Sequence, residues 1–262
     1  MADIGKYYRE GGERTRLLDG AGLLEGLRTR DVLARFLPAA PARVLDVGGA
    51  TGVYAGWLAD AGYDVHLVDL MPEHVAVAAG LPGVTAAVGD ARALAEPAAS
   101  ADAVLLLGPL YHLLDRADRV AAWREAARTV RPGGPVIAAT IGRFASLHDG
   151  FVQDFYADPR FLPIVERALA TGEHRPEGDW FTDAYFHRPE EPAAEARDAG
   201  LDVVTVVAVE GTLWQLGPRL GEILADPART ELMLSMLRRI EAEPSLLGAS
   251  SHLLTIATRP GA

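Results

Sequence analysis

Three aspartates with a shared local setting are the first residues of this sequence that point to chemistry. Asp46, Asp69 and Asp90 each lie in or directly after an apolar run that is typical of a buried strand. The carboxyl ends of parallel strands share one sheet edge, so these acids are expected to line a single ligand site. Asp69 is placed to accept hydrogen bonds from two ribose hydroxyls, and Asp90 suits the exocyclic amine of adenine. Helix capping or a solvated loop is the alternative for each acid taken alone.

A glycine-rich segment follows the first acid. Residues 48–52 fall where a strand is predicted to turn into a helix, so the backbone there can approach a ligand without side-chain obstruction. Such turns also serve dinucleotides or plain packing, and the spacing of the acids favours a nucleotide-sized ligand. The ligand contacts predicted from these segments are Asp46, Gly48, Gly49, Ala50, Gly52, Asp69, Leu70, Asp90 and Ala91.

A second candidate group follows the fourth apolar run, in the segment 107–112. An unperturbed imidazole titrates near neutral pH, so His112 suits the role of a general base that takes a proton from a hydroxyl or an ammonium. A histidine that only hydrogen-bonds the loop is the equal alternative. Tyr111 is expected to pack or to orient a ligand, and its aromatic face also favours a cation. Both residues are predicted as catalytic.

These residues require a sheet of parallel strands joined by helices. Strand-like runs alternate with helical patterns from about residue 30 to 142, which indicates βαβ units. The predicted strands are 43–47, 63–70, 84–89, 103–107, 135–140, 201–209 and 252–258, and the predicted helices include 116–131, 188–200 and 226–243. Residues 144–187 break the alternation, and we expect them to form a mostly helical lid.

Composition limits the classes of protein that fit. The 262 residues carry a net charge of −11, which disfavours nucleic-acid partners because phosphate backbones need clusters of Lys and Arg. Cysteine is absent, so disulfides and thiolate sites are excluded. No apolar run reaches the roughly 18 residues that a bilayer requires, so we expect a cytoplasmic protein with no membrane contact. The isolated histidines show no metal-ligand spacing with neighbouring acids, and no metal is expected.

With these motifs together, the sequence resembles the class I S-adenosylmethionine-dependent methyltransferases. Their acid-x-Gly-x-Gly-x-Gly loop is matched by residues 46–52, although Ala50 replaces the middle glycine. Asp69 matches the second-strand acid, 89–90 the third-strand Gly-Asp, and 131–134 the Arg-Pro-Gly-Gly that precedes the fifth strand. The resemblance covers 43–142. The Gly-Pro-Leu-Tyr-His of residues 108–112 also resembles a narrower group of small-molecule methyltransferases.

The resemblance implies an α/β fold with a doubly wound, seven-stranded mixed sheet in the order 3-2-1-4-5-7-6, the last strand antiparallel, and a helical lid insertion. One methyltransferase domain would span 1–262. It would comprise N-terminal helices that cover the cofactor (1–30), a cofactor-binding core (31–142), a substrate lid (143–187) and C-terminal strands with a helix that complete the sheet (188–262). The oligomeric state is left open.

The resemblance also implies S-adenosyl-L-methionine as the cofactor, S-adenosyl-L-homocysteine as its product, and methyl transfer to an O, N or C atom of a small molecule in specialised metabolism. Further cofactor contacts would come from Tyr8, Arg16, Leu107 and Gly108. Substrate contacts would come from Tyr7, Tyr111, His148, Trp180 and Tyr185.

Three other functions are weighed against this interpretation. A dinucleotide dehydrogenase would bind pyrophosphate at the helix after Gly52, but Asp90 and the segment 131–134 favour the methyltransferase. The same scaffold could instead support a non-methylating reaction, or a non-catalytic regulator that binds the cofactor. The aromatic-rich lid favours a true substrate.

Overall fold

The computed structural model describes residues 20–176 and 180–261. Its strands are β1 (Arg43–Val47), β2 (Asp64–Asp69), β3 (Val84–Val88), β4 (Ala103–Leu106), β5 (Pro135–Ile141), β6 (Glu173–His174), β7 (Ala184–Tyr185), β8 (Asp202–Ala208) and β9 (His252–Thr258). Seven of them form one sheet in the order β3-β2-β1-β4-β5-β9-β8, with antiparallel pairing among the last strands. This arrangement confirms the predicted fold class.

The helices surround these strands in chain order. They are α1 (Gly20–Phe36), α2 (Val53–Asp60), α3 (Pro72–Ala78), α4 (Pro109–His112), α5 (Arg116–Thr129), α6 (Ala145–Val152), α7 (Phe161–Thr171), α8 (Glu191–Asp198), α9 (Pro218–Leu224), α10 (Pro227–Ile240) and α11 (Pro244–Leu247). No helix within the described ranges combines the length and the apolar character needed to span a bilayer.

The chain divides into two compact units. The core unit comprises 33–140, 191–205 and 255–261, and the second unit comprises 20–32, 141–176, 180–190 and 206–254. Both units are therefore built from separate stretches of chain. The assignment of 1–30 as a cofactor cover and of 143–187 as a substrate lid stays a prediction.

The strands of the core unit are held in place by the burial of their apolar side chains. All four residues of β4 are buried, and β1 pairs in parallel with both β2 and β4, so that Asp46 lies opposite Leu67 and Leu105. Strands buried on both faces are expected to be continuously apolar, as β4 is, whereas β1 carries Asp46 among its buried apolar residues. Trp123 of α5 has no exposed surface and packs in one apolar cluster with residues of β1 and β4. The helix after β1 and the loop after β4 are consequently fixed to the ends of a rigid sheet.

The second unit has its own apolar clusters. Phe161, Ile164 and Val165 of α7 form the centre of one of them, as the three- and four-residue spacing on one helix face allows. The predicted lid is mostly helical, with α6 and α7, but it also contains the short antiparallel pair β6–β7, which the sequence pattern does not predict. The predicted helix 226–243 ends at Ile240, and α11 follows it as a separate turn.

Candidate active site

The glycine-rich loop after β1 has a left-handed backbone at several positions. Gly48 has φ 71°, Ala50 has φ 48° and Gly52, the residue before α2, has φ 88°. Glycine adopts this region at no steric cost, whereas a side chain there costs roughly 1–2 kcal/mol. The left-handed backbone therefore explains why the family motif has a glycine at its middle position. Ala50, which replaces that glycine, is strained there.

Asp46 is a buried carboxylate at the end of β1. The residue is 1% exposed, and neither carboxylate oxygen has a hydrogen-bond partner among the described residues. Burial, with a smaller contribution from the charge of Asp69, raises the pKa of Asp46 to about 7. A Cβ at Gly49 would stand 2.5 Å from Asp46 Oδ2, so the loop backbone closes directly over this acid. An unsatisfied buried carboxylate of this kind favours a cationic or hydrogen-bond-donating ligand.

Asp69, the last residue of β2, organises the loops on either side of it. Its Oδ2 accepts a hydrogen bond from the Ala50 N–H at 2.9 Å, and its Oδ1 accepts one from the Met71 N–H at 2.9 Å. His74 Nδ1 lies 3.1 Å from the same Oδ1. A carboxylate offers about four lone-pair positions, so these contacts leave about one for a ligand hydroxyl. The predicted hold on both ribose hydroxyls would need one of these partners to move. Leu70 beside it is 61% exposed.

Asp90 is engaged locally by Arg92. The Arg92 guanidinium donates to Oδ1 from Nε at 3.0 Å and to Oδ2 from Nη2 at 2.6 Å, and it also contacts Asp118 at 2.8 Å. These hydrogen bonds hold the pKa of the Asp90 carboxyl below its ordinary value. The predicted contact with the adenine amine would therefore be shared with Arg92. Ala91, between the two residues, is buried.

The segment after β4 touches the glycine-rich loop. A Cβ at Gly108 would lie 2.7 Å from the Gly48 carbonyl oxygen, and a Cβ at Gly48 would lie 2.7 Å from Pro109 Cδ. The short helix α4 begins at this contact and carries Tyr111 and His112, whose rings are 4.7 Å apart. The pair predicted as catalytic thus lies on the segment that meets the glycine-rich loop, and the half-buried Leu107 precedes this segment.

The remaining predicted residues belong to the second unit or fall outside the described residues. Tyr7, Tyr8 and Arg16 are outside the described residues. In the second unit the His148 ring meets the edge of Trp214 at 5.9 Å, and Trp180 packs against Phe161 at 5.4 Å. Tyr185 accepts a hydrogen bond from Arg143 Nη2 at 3.2 Å, which fixes its ring. The substrate roles of His148, Trp180 and Tyr185 stay predictions.

Sequence reasoning missed two groups of interacting residues, one in each unit. His74 contacts Asp69, and its place five residues beyond that acid was the only available signal. In the second unit, Glu25, Glu210 and His252 bring potential ligand atoms within 4.8 Å of one another. The three residues are far apart in sequence, so no local spacing could reveal them.

Comparisons with known proteins define the family. A methyltransferase-domain family matches residues 44–134. A protein of Xylella fastidiosa, described as a ubiquinone biosynthesis O-methyltransferase, is 33% identical over 197 residues, which cover 72% of this chain and 73% of that protein.

Solved structures agree on the fold. A methyltransferase from Methanosarcina mazei superimposes with a TM-score of 0.61 at 15% identity, covering 88% of this chain and 98% of that one. An S-adenosylmethionine-dependent methyltransferase from Mesorhizobium loti gives 0.60 at 20% identity, covering 90% and 100%. The chain belongs to the class I S-adenosylmethionine-dependent methyltransferases, and it is an enzyme of that family with S-adenosylmethionine as its cofactor.

The residues present fit this cofactor. Asp46 offers two buried acceptor oxygens with no partner among the described residues, and the cofactor carries an ammonium group that could donate to them. Gly48, Gly49 and Gly108 allow the glycine-rich loop to pack closely against its neighbours, since a Cβ at any of the three would stand within 2.7 Å of another protein atom. The exposed Leu70 offers apolar surface of the kind that an adenine ring covers.

Proposed function

We propose that this enzyme transfers a methyl group to an O, N or C nucleophile of a small molecule in specialised metabolism. The observation that carries this proposal is the close approach of Gly108 to the Gly48 carbonyl, which leaves no room for a side chain at residue 108. That contact joins the segment with Tyr111 and His112 to the loop that holds the cofactor. A substrate nucleophile bound against these two side chains would be next to the reacting centre.

The choice of a small-molecule acceptor rests on three supports. The net charge of −11 is unfavourable for polyanionic nucleic acids. Gly108 lacks the side chain with which amine-directed DNA methyltransferases grip a base amino group. The Xylella fastidiosa relative is described as a ubiquinone biosynthesis O-methyltransferase.

The chain's own residues divide the work. S-adenosylmethionine, when bound, supplies an electrophilic methyl group on a sulfonium sulfur. Asp69 would accept a hydrogen bond from a ribose hydroxyl of the cofactor, and Asp46 would accept one from its ammonium group. Because neither residue donates or receives a proton in the transfer, their contribution is to hold and orient the cofactor.

The substrate side is assigned to the segment after β4. His112 would take the proton of a hydroxyl or an ammonium through a ring nitrogen, and Tyr111 would orient the acceptor. An acceptor that is already ionised needs positioning alone, so the requirement for His112 depends on the acceptor's own pKa.

The test is methyl transfer from cofactor carrying an isotopically labelled methyl group to panels of phenols, carboxylic acids and amines, read by product mass. We expect one panel to yield a product in which a methyl group replaces a hydrogen. A Gly108→Val variant should lose turnover, because its side chain would meet the Gly48 carbonyl, while Gly221→Ala, which has open space around it, should retain it. Labelling of RNA or DNA but of no small molecule would refute the proposal. A changed product without the label would instead indicate the non-methylating scaffold.

A further inference from the structure

A cluster of side chains of metal-ligand type lies in the second unit, and none of its residues is assigned to the cofactor or to the substrate above. Glu25 is on α1, Glu210 lies two residues beyond β8, and His252 is the first residue of β9. His252 Nδ1 is 2.6 Å from Glu210 Oε1 and 3.8 Å from Glu25 Oε2. The side chains of Glu25, Glu210 and His252 are 12%, 2% and 22% exposed.

Glu210 is oriented by hydrogen bonds behind it. Its Oε2 accepts from Ser250 Oγ at 2.9 Å and from the His252 N–H at 3.0 Å. Ser250 Oγ is itself held, because it accepts from the N–H groups of Glu210 at 3.2 Å and Gly211 at 3.1 Å. These hydrogen bonds therefore occupy Oε2 of Glu210, and its Oε1 faces the His252 ring. Outer hydrogen bonds of this kind orient the ligands of metal sites in general.

Arg28 anchors the helix that carries Glu25. Arg28 has no exposed surface, and it donates from Nε to the Val209 carbonyl at 3.0 Å and from Nη2 to Glu241 at 2.6 Å. Residues three apart share a helix face, so this anchor beside Glu210 also fixes the position of Glu25. The three donors thus come from separate parts of the chain that a buried anchor holds together.

We propose that Glu25 Oε2, Glu210 Oε1 and His252 Nδ1 form a binding site for a divalent first-row transition-metal ion of the Zn²⁺ or Mn²⁺ class. Metal–ligand bonds of about 2.1 Å place neighbouring donors about 3 to 3.5 Å apart. The observed separations of 2.6 and 3.8 Å bracket that range, so side-chain shifts of about half an ångström complete the site.

The donor set defines the class of ion. One imidazole with two carboxylates suits Zn²⁺ and Mn²⁺, whereas Mg²⁺ and Ca²⁺ prefer oxygen alone. A simple ion pair of His252 with Glu210 requires one acid, yet the second acid Glu25 also lies close. A surplus carboxylate beside one imidazole favours a site built for a cation.

The test uses full-length protein without a histidine tag, stripped by a chelator and titrated with ZnCl₂, MnCl₂ or MgCl₂ in a calorimeter. We expect binding of one Zn²⁺ or Mn²⁺ per chain, with a rise in melting temperature, and at least about 10-fold weaker binding of Mg²⁺.

Variants assign the site. Glu25→Gln and His252→Gln should each weaken binding at least about 10-fold, while His66→Gln, which removes a histidine paired with Glu96 in the core unit, should leave it unchanged. If His252→Gln does not fold, Glu25→Gln decides, because Glu25 lies on a helix that Arg28 anchors independently. No stoichiometric binding to the wild-type chain, or equal affinity in Glu25→Gln, would overturn the proposal.

Discussion

The carboxylate of Asp46 lies directly against Gly49, with 2.5 Å between Asp46 Oδ2 and the place that a Cβ on Gly49 would occupy. The same Cβ would lie 2.6 Å from Leu67 Cδ1, so a side chain there has a charged and an apolar neighbour but no room. The glycine-rich loop therefore cannot accept a side chain at residue 49 without moving.

Gly49→Ala should displace the loop and weaken the binding of S-adenosylhomocysteine at least about 10-fold, with a loss of about 1–3 kcal/mol in unfolding free energy from overpacking. Calorimetry and urea unfolding measure the two effects. Gly221→Ala, in α9 with no atom within 4 Å of its Cβ, is the matched control and should keep wild-type affinity. Wild-type affinity in Gly49→Ala would show that the loop adjusts without cost.

Asp46 should make stability depend on pH. Its pKa is raised to about 7 from 3.8, so between these values the folded protein holds a proton that the unfolded chain has lost. Stability from this group is therefore full at low pH and falls as pH rises through about 7. Asp46→Asn removes this loss, so between about pH 4 and 7 its unfolding free energy should fall less than that of wild type. Asp64→Asn, at the exposed start of β2, should follow wild type, and a parallel fall in all three proteins would contradict the assignment.

Ala50→Gly should stabilise the protein, because glycine removes the cost of a side chain at φ 48°. We expect a gain of up to about 1 kcal/mol, part of the steric cost being offset by the greater freedom of glycine in the unfolded chain. Ala59→Gly in α2 changes the same residue type in ordinary helical backbone and should lose about 1 kcal/mol. Urea unfolding of both variants gives the signs, and a loss in Ala50→Gly would show that the loop is not strained there.

Asp69→Ala should lose roughly 2–4 kcal/mol of cofactor affinity, because charge-assisted hydrogen bonds are stronger than neutral ones and a buried loss is costly. Asp69 also holds Ala50 and Met71, so a local loosening of the loop accompanies the loss. His74→Gln is the informative companion, since it changes a partner of Asp69 and leaves the acid. An unchanged dissociation constant in Asp69→Ala would return this acid to a purely structural role.

His112→Ala should lower single-turnover methyl transfer about 100-fold or more while cofactor affinity stays nearly intact, if its ring takes the acceptor's proton. The acidic limb of the pH–rate profile should disappear in the same variant. Tyr111→Phe removes the neighbouring hydroxyl and should keep that limb. Should His112→Gln retain the rate and the limb, simple proximity would account for the reaction.

Features that depend on residues close together in the sequence could be predicted, whereas features that depend on residues far apart in the sequence could not. The strand 252–258 and the helix start at Arg116 were predicted at their observed positions, because apolar period and breaking residues are local signals. The hold of Arg92 on Asp90 was open to detection, since the two residues are two apart. The cluster of Glu25 with Glu210 and His252 was not, because only the folded chain brings them together.

The buried ion pair between Arg119 and Glu195 has a consequence for how the protein is made. Its Nε–Oε1 distance is 2.8 Å and its side chains are 3% and 1% exposed, yet Glu195 belongs to a stretch synthesised after the whole of 141–190. The final stretch, 255–261, also belongs to the core unit. During synthesis from the N-terminus, Arg119 is made before a segment of the other unit, and its counter-ion Glu195 follows only after that segment. The core unit therefore cannot form this buried ion pair until residue 195 has been synthesised.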